Sequence, residues 1–564
     1  MALLGISGSA EPGVIQGMRD RLRHRGAVSV GPNLGGEYYC SDGQLSMAWS
    51  GTIRVDIKRE QLPSFLIRSY RESGIEFTHD LSGEFVLAIR DHERLFLVRD
   101  PVGARTAFCG RHAGRWYLAA EPKAIWGLPG FSRRIRAGAI AQYFTYSFIP
   151  GAATMLEQIW EMLPGHWVEL GDEPAPNFVR YFQFPNVPPA TEEQVEESLA
   201  ESAQQFKRLL AEEVAKRIDL ETPPVVFLSG GLDSSAVTAE VASQFSGRVR
   251  TFSVHFGKKY PNELAYAKQV STKFNTEHEE IEIKPSVAVE RLREMVWHLD
   301  EPIGDPVTLP NFELASRVSQ LGVRSVFNGE GGDPLFGGPK NMAMLLGHWY
   351  GGIDHAFGFR ERRYLESYKR GYTELSHVLT PVALQGFDES LHLHGPLRPF
   401  FDQPGPLLHK LLGINTQLKG AHLILPKIER MLAASNVTPL SPMFTKSMVE
   451  LAFSTVPRAK LNRGVEKWLI KEACRGLVPD DIIDRPKSGM RVPVHFWMKG
   501  PLRKFARSIL SRRALKEVGL FDPDRVQQWL KYDIEQPNGR YGLRIWMLLT
   551  FEIWRRIVIE GESV

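Results

Sequence analysis

Short apolar runs broken by turn-forming clusters fill the first third of the chain, and helical periodicities fill most of the remainder. Residues 45–49, 85–89, 95–98 and 116–120 are apolar or alternating runs, with Gly, Asp and Arg-His clusters between them. That spacing predicts stacked antiparallel sheets. The proline-rich stretch 185–189 (PNVPP) ends this region, and Thr191-Glu192-Glu193 reads as a polar helix start. The pattern therefore divides the chain into residues 1–185 and 190–564. A helix to about Ile218 leads into Val225-Val226-Phe227-Leu228, a short run with the composition of a buried strand. The run breaks at Ser229-Gly230-Gly231, after which Val237, Val241 and Phe245 recur four apart, on one face of a helix. Residues 251–256 and 323–327 read as further strands, and Asn262 caps an amphipathic helix running to Phe274. This alternation predicts a doubly wound α/β domain. The last third is helical, with Trp529, Trp546 and Trp554 as core residues.

The strand, glycine turn and helix start at residues 225–237 (VVFLSGGLDSSAV) direct free backbone N–H groups and the positive end of a helix dipole at one point. That is an anion site. It lacks the Gly-Lys-Ser/Thr ending of a Walker-type loop. The third strand ends in Asn328-Gly329-Glu330-Gly331-Gly332-Asp333, a second glycine-flanked turn carrying two acids. In open parallel sheets ligands bind beyond the carboxyl ends of the strands, where Leu228, Val254 and Asn328 all fall.

Composition narrows the class. The chain has 564 residues, 43% hydrophobic and 24% charged, and a formal net charge of +4. Length points to two or three domains, and the near-neutral charge offers no argument for nucleic acid or membrane. Cys40, Cys109 and Cys474 lie far apart without a CxxC, as befits buried thiols in a reducing compartment. No run reaches the roughly 18 apolar residues of a membrane span. The N-terminus has arginines at 19, 21, 23 and 25 but no apolar signal core, so the cytoplasm is the expected location.

The string Ser229-Gly230-Gly231-Leu232-Asp233-Ser234-Ser235 resembles the pyrophosphate-binding loop of the ATP pyrophosphatases, and the residues beyond it are similar to the asparagine synthetase branch of that group. His24-Arg25-Gly26, Arg99-Asp100-Pro101-Val102-Gly103, Glu121-Pro122-Lys123-Ala124 and Leu163-Pro164-Gly165-His166 resemble, in order, pieces of that family's glutaminase domain. The resemblance implies an N-terminal Ntn-hydrolase-like antiparallel β sandwich flanked by helices, joined to an ATP-pyrophosphatase domain with helical additions. It also implies ATP and magnesium. Leu228, Val254 and Gly329 would surround adenine through their backbone, and Ser229, Gly230, Gly231, Asp233 and Ser234 would hold the phosphates. Asp233 and Asp333 would carry magnesium. Either aspartate alone reads as a cap or turn residue; their shared placement beside the glycine loops favours the metal. Glu330 would act as general base, and Lys487, in Arg485-Pro486-Lys487-Ser488-Gly489, would stabilise charge over the α-phosphate. Glu466-Lys467 matches another lysine-bearing family segment, and Asp300-Glu301-Pro302 and Asp305-Pro306 match a stretch near the substrate.

Departures from the family pattern are as informative. Position 2, the cysteine nucleophile of glutamine-hydrolysing members, is Ala2. Their Asn-Gly oxyanion pair is Ser50-Gly51, an expected acid is Ser82, and the carboxylate-holding arginine has no counterpart in the shortened 31–44 connection. The GEGxDE loop ends in Asp333-Pro334, and 435–442 (SNVTPLSP) replaces the ExRxPFLD stretch. Residues 338–425, rich in aromatic and basic side chains, are expected to shape a different acceptor pocket. The expected function is an ATP- and Mg2+-dependent ligase that adenylates a small-molecule or peptide carboxylate and captures it with an amine not taken from glutamine, as in β-lactam synthetases and lasso-peptide cyclases. The alternative is an asparagine synthetase using free ammonia. No nucleic acid or membrane partner is expected, and a homodimer is compatible with the reading.

Overall fold

The computed structural model describes residues 2–8, 12–187, 191–337, 358–368, 370–486, 489–531 and 541–564. Two six-stranded antiparallel sheets form the N-terminal domain. The longest strands, Leu45–Arg54 and Ser82–Asp91, pair along their full length, with Trp49 opposite Leu87. Their alternation sends one row of side chains into the sandwich, where Val86, Ala88, Leu97, Trp116, Leu118 and Val168 are buried between the sheets. The predicted runs 45–49, 85–89, 95–98 and 116–120 all lie in strands of this sandwich, within a residue at the end of the last. Helices Pro12–Arg21 and Leu62–Ser73 cover the outside.

Thr191 caps the helix Glu192–Ala215, its side chain accepting from the Gln194 N–H while Gln194 reaches back to the Thr191 N–H. Beyond it lies a five-stranded parallel sheet in the order Glu277–Glu282, Arg250–His255, Val225–Phe227, Ser325–Phe327, Thr438–Leu440. The three inner strands are those expected from the pattern. The two edge strands are not legible in it: EHEEIE has almost no apolar content, and TPL is too short. Charge suits an exposed sheet edge, which must not template pairing with another chain.

The helical third packs over both units. Helix Tyr541–Val558 is buried almost all round, with Trp546 and Trp554 inside, as is Trp529 of helix Pro523–Lys531. One continuous apolar core runs from Leu4 and Phe108 of the N-terminal domain to Leu299 and Trp546. Among the described residues no helix is long and apolar enough to cross a membrane. Cys109 and Cys474 are buried and Cys40 partly so, and burial pushes all three thiols up, Cys40 to about 11 and Cys474 to about 12.

Candidate active site

The three inner strands end side by side, with Val226 paired to Thr251 on one side and to Phe327 on the other. A cleft of about 670 Å3 opens above them, lined by Leu228, Ser229, Gly231, Asp233, Ser234 and Val254 and by Asn328, Gly329, Glu330 and Asp333. Residues 225–237 fold as strand, turn and helix, the helix running Leu232–Gln244. The turn is held from within. Ser229 N donates to Ser234 Oγ (3.2 Å), Gly231 N donates to Ser229 Oγ (3.2 Å), and the Ser234 hydroxyl donates to Gly231 O (3.2 Å). Gly230 is required: its φ is +80°, and a Cβ there would lie 2.7 Å from Glu263 O. Gly329 is required by approach, since a Cβ would meet Ser234 N at 2.6 Å. The two glycine turns are therefore in contact.

Their carboxylates converge on a single cation, the buried ammonium of Lys467. Its Nζ lies 2.5 Å from Asp233 Oδ2 and also pairs with Asp333. The two carboxylates hold the ammonium well above its ordinary range against the pull of burial. Lys467 has φ +54° at the start of helix Trp468–Cys474, an uncommon conformation for a side-chain-bearing residue. The sequence marks the Glu466-Lys467 segment but does not reveal this position, because the partners lie 234 and 134 residues away. Two hard oxygen anions meeting at one cation position, with no larger cluster of His, Cys, Asp or Glu among the described residues, fit magnesium, which takes few protein ligands and keeps waters and phosphates.

Glu330 is half-buried at the rim; its N–H donates to Asn328 Oδ1 (3.0 Å), which also accepts from Ser441 Oγ. Across the cleft Lys427 Nζ pairs with Asp305 Oδ2 at 3.0 Å. Lys427, aided by Arg370, draws Asp305 below the usual carboxylate range, while Asp305 and Glu330 raise Lys427. Arg370, Asn415 and Lys419, all from the 338–425 segment, line this side. Lys487 lies outside the described residues, as do His348, Trp349 and Tyr350; Gly489, Met490 and Arg491 line the cleft and Arg485 donates to Gly230 O of its loop.

Asp300 and Glu301 are elsewhere. Asp300 accepts from Lys123 N (2.5 Å) and Trp126 Nε1 (2.8 Å), and Glu301 from Met155 N (3.0 Å), all in the N-terminal domain. Burial raises Asp300 to about 6 and Glu301 to about 8. Of that stretch only Asp305 reaches the cleft, because Asp300 adopts φ +63° at the end of helix Pro285–Leu299 and turns the chain.

A second cleft, of about 1000 Å3, lies against the N-terminal domain and includes Glu37, Gly51, Arg54 and Ser82. Ala2 is fully buried, and Leu3 pairs with Gly36, which brings Glu37 next to it. The Gly51 N–H donates to Glu37 Oε2 at 3.0 Å. Arg54 pairs with Glu84 (2.7 Å), and Ser82 Oγ donates to Arg54 O (2.8 Å). Nothing in the sequence marks Glu37.

The class of the chain, an ATP-dependent amide-forming ligase, follows from its family. The asparagine synthase family pattern matches residues 205–556 and a glutamine amidotransferase domain pattern matches residues 63–182, so the chain belongs to the asparagine synthase family. Asparagine synthetase [glutamine-hydrolyzing] 1 of Bacillus subtilis (strain 168) is 26% identical over 529 residues, 88% of this chain and 80% of that protein. A putative asparagine synthetase [glutamine-hydrolyzing] of Mycobacterium tuberculosis (strain ATCC 25618 / H37Rv) is 26% identical over 553 residues, with the same coverage. Amidase chyE of Penicillium rubens (strain ATCC 28089 / DSM 1075 / NRRL 1951 / Wisconsin 54-1255) is 22% identical over 577 residues, 89% and 82% of the two chains. The solved glutamine phosphoribosylpyrophosphate amidotransferase from B. subtilis overlaps 48% of this chain and 79% of its own at 12% identity and a TM-score of 0.24, too loosely to add to this assignment.

Proposed function

We propose that residues 190–564 adenylate a carboxylate with ATP and that residues 1–185 are a glutaminase-like unit without glutaminase activity. A carboxylate oxygen attacks the α-phosphorus, the bond to the bridging oxygen breaks, and pyrophosphate leaves with the electron pair. An amine then attacks the acyl carbon, AMP leaves, and the proton shed by nitrogen passes to Glu330. The backbone at Leu228, Val254 and Gly329 takes the adenine, and the turn from Ser229 through Gly230, Gly231 and Asp233 to Ser234 takes the phosphates. Asp233 and Asp333 would hold magnesium, which supplies charge neutralisation on the departing pyrophosphate. Lys467 keeps the two aspartates in register. Lys487 carries the α-phosphate role by family resemblance.

The observation that carries the nitrogen-source reading is Glu37 on the Gly51 N–H. That donor would have to receive the oxygen of a glutamine amide, and the chain's own carboxylate holds it, beside an Ala2 that has no nucleophile. The amine therefore comes with the substrate or from solution. The 338–425 segment, which departs from the family pattern and brings Arg370 and Lys419 to the cleft, supports an acceptor other than aspartate, such as a natural product or peptide. The names of the two bacterial relatives favour aspartate as the carboxylate, as in the second reading (aspartate and free ammonia), but both name glutamine as the nitrogen source, which Ala2 and Glu37 argue against here.

The test is exchange of labelled pyrophosphate into ATP, surveyed over carboxylic acids that include aspartate, with nucleotide products resolved. AMP and pyrophosphate are expected; ADP would refute the nucleotide assignment. Asparagine formed from aspartate and ammonium would decide for the second reading.

A further inference from the structure

Helix Leu407–Gly413, the π-helical stretch Ile414–Ile424 and helix Leu425–Ala433 run on without a break. The wide turns precede Pro426, which has no N–H to give to a tighter helix. Asn415, Lys419, Leu423, Ile424, Lys427 and Ile428 form a stripe along this rod and line the ligase cleft. Part of the remaining surface packs on helices Thr308–Gln320 and Pro285–Leu299, and part meets the N-terminal domain. Arg99 Nη2 donates to Ala421 O at 3.0 Å, and His422 Nδ1 lies 3.0 Å from Glu161. A Cβ on Gly103 would come 2.8 Å from the Ala421 Cβ. Glu429 is gripped hardest, by Arg25 through both carboxylate oxygens (2.6 and 2.9 Å) and by Thr106 Oγ1 (3.2 Å). Arg25 is itself fixed, since its Nε pairs with Glu121, which Lys123 (2.6 Å) and His24 (3.0 Å) also hold.

We infer that the retained N-terminal domain sets the position of Lys427 in the ligase cleft, through the clamp of Arg25 on Glu429. Lys427 lies two residues before Glu429, about 200° around the helix. Turning the rod about its axis would draw Lys427 off Asp305. Asp305 stays behind, because its Oδ1 accepts from Val307 N (3.1 Å) at the start of another helix. Arg25 and Glu429 are positioning residues; neither reaches the cleft. The inference rests on the reading of this cleft as the nucleotide and acceptor site, and its test is read separately.

In an Arg25→Met/Glu429→Met protein the clamp is gone, Glu121 keeps Lys123 and His24, and buried Arg105 loses the charge of Glu429; apolar replacements of buried ion pairs are commonly tolerated. Acetic anhydride labelling, read peptide by peptide by mass spectrometry, compares Lys427 with Lys467. Lys427 should react at least ~5-fold faster than in wild type and Lys467 within ~2-fold of it, with the Kd for Mg·ATP also within ~2-fold, as expected when a single charge pair is lost. Equal acceleration of both lysines, or an unchanged Lys427 in a folded protein, overturns the inference. Should the double variant fail to fold, Glu429→Gln keeps the shape and should accelerate Lys427 alone by ~2-fold or more; no acceleration there overturns it too. Absence of Mg·ATP binding by the wild-type chain would count against the nucleotide reading and leave the lysine comparison intact.

Discussion

The two clefts differ in what occupies their key polar groups. In the N-terminal cleft the donor that an amide oxygen needs, Gly51 N–H, is held by the carboxylate of Glu37, at the bend between strands Leu34–Gly36 and Tyr38–Asp42. In the ligase cleft the acids that a cation needs, Asp233 and Asp333, are held by the ammonium of Lys467, itself a cation. On the proposed reading, the first arrangement competes with an amide oxygen for its donor, and the second presents two acids to one cation. The matching family pieces divide the same way. Arg25, Arg99, Asp100, Glu121, Lys123 and His166 are all buried. They serve the seam and the turns: Asp100, for instance, accepts from the Val102, Ala104 and Arg105 N–H groups. The positions that differ, Ala2, Ser50 and Ser82, are those a glutaminase pocket would need. Retention tracks the scaffold, and loss tracks the chemistry.

The sharpest break in this contrast is Asp233→Asn. It removes a charged partner from Lys467 and a hard ligand from the metal, and should lower pyrophosphate exchange by ~100-fold or more, the scale of losing one preorganised electrostatic contact. Exchange at the wild-type rate would remove Asp233 from the site. Next in size, Glu330→Gln should cut amide formation by ~100-fold, the lower range for a general base, while pyrophosphate exchange falls far less. Equal losses in both assays would make Glu330 a structural residue.

The seam between the clefts gives a smaller effect with a definite sign. Burial raises Glu301 to about 8, so between its unfolded value of about 4.5 and pH 8 the folded chain binds a proton that the unfolded chain does not. Stability from this group therefore falls as pH rises through that window. Glu301→Gln, which can still accept from Met155 N, should gain about 1–2 kcal/mol over wild type at pH 8.5 and little at pH 4.5. Denaturant melts at the two pH values check this; a gain larger at low pH would reverse the assignment. Smallest of all is Ala2→Cys. With Glu37 still on Gly51 N–H and Ser50 in place of an amide, glutamate release from glutamine should stay at background, since one missing oxyanion donor alone costs ~100-fold. Robust release by that variant would mean the first cleft was never closed.

Much of this was legible in the chain. Val225 to Phe227 had strand composition, Gly230-Gly231 marked a turn open only to glycine, and Thr191-Glu192-Glu193 announced the helix that Thr191 caps. Each signal is local. What was hidden depends on distant partners or on weak patterns. Lys467 takes its role from residues 234 and 134 positions away, and Glu37 is an ordinary acid until the Leu3–Gly36 pairing sets it over Gly51. Asp300 and Glu301 match a family stretch expected near the substrate, yet one left-handed residue turns them into the seam. The edge strand Glu277–Glu282 has no apolar face to read.

The three thiols have a practical corollary. Each is shielded and holds its proton far above neutral pH, so almost none exists as the thiolate that reacts with alkylating agents or peroxide. A glutaminase with a cysteine nucleophile carries its own point of oxidative failure. In this chain position 2 carries no sulfur, and Cys40, Cys109 and Cys474 are buried or half-buried, so oxidation finds no readily formed thiolate to start from.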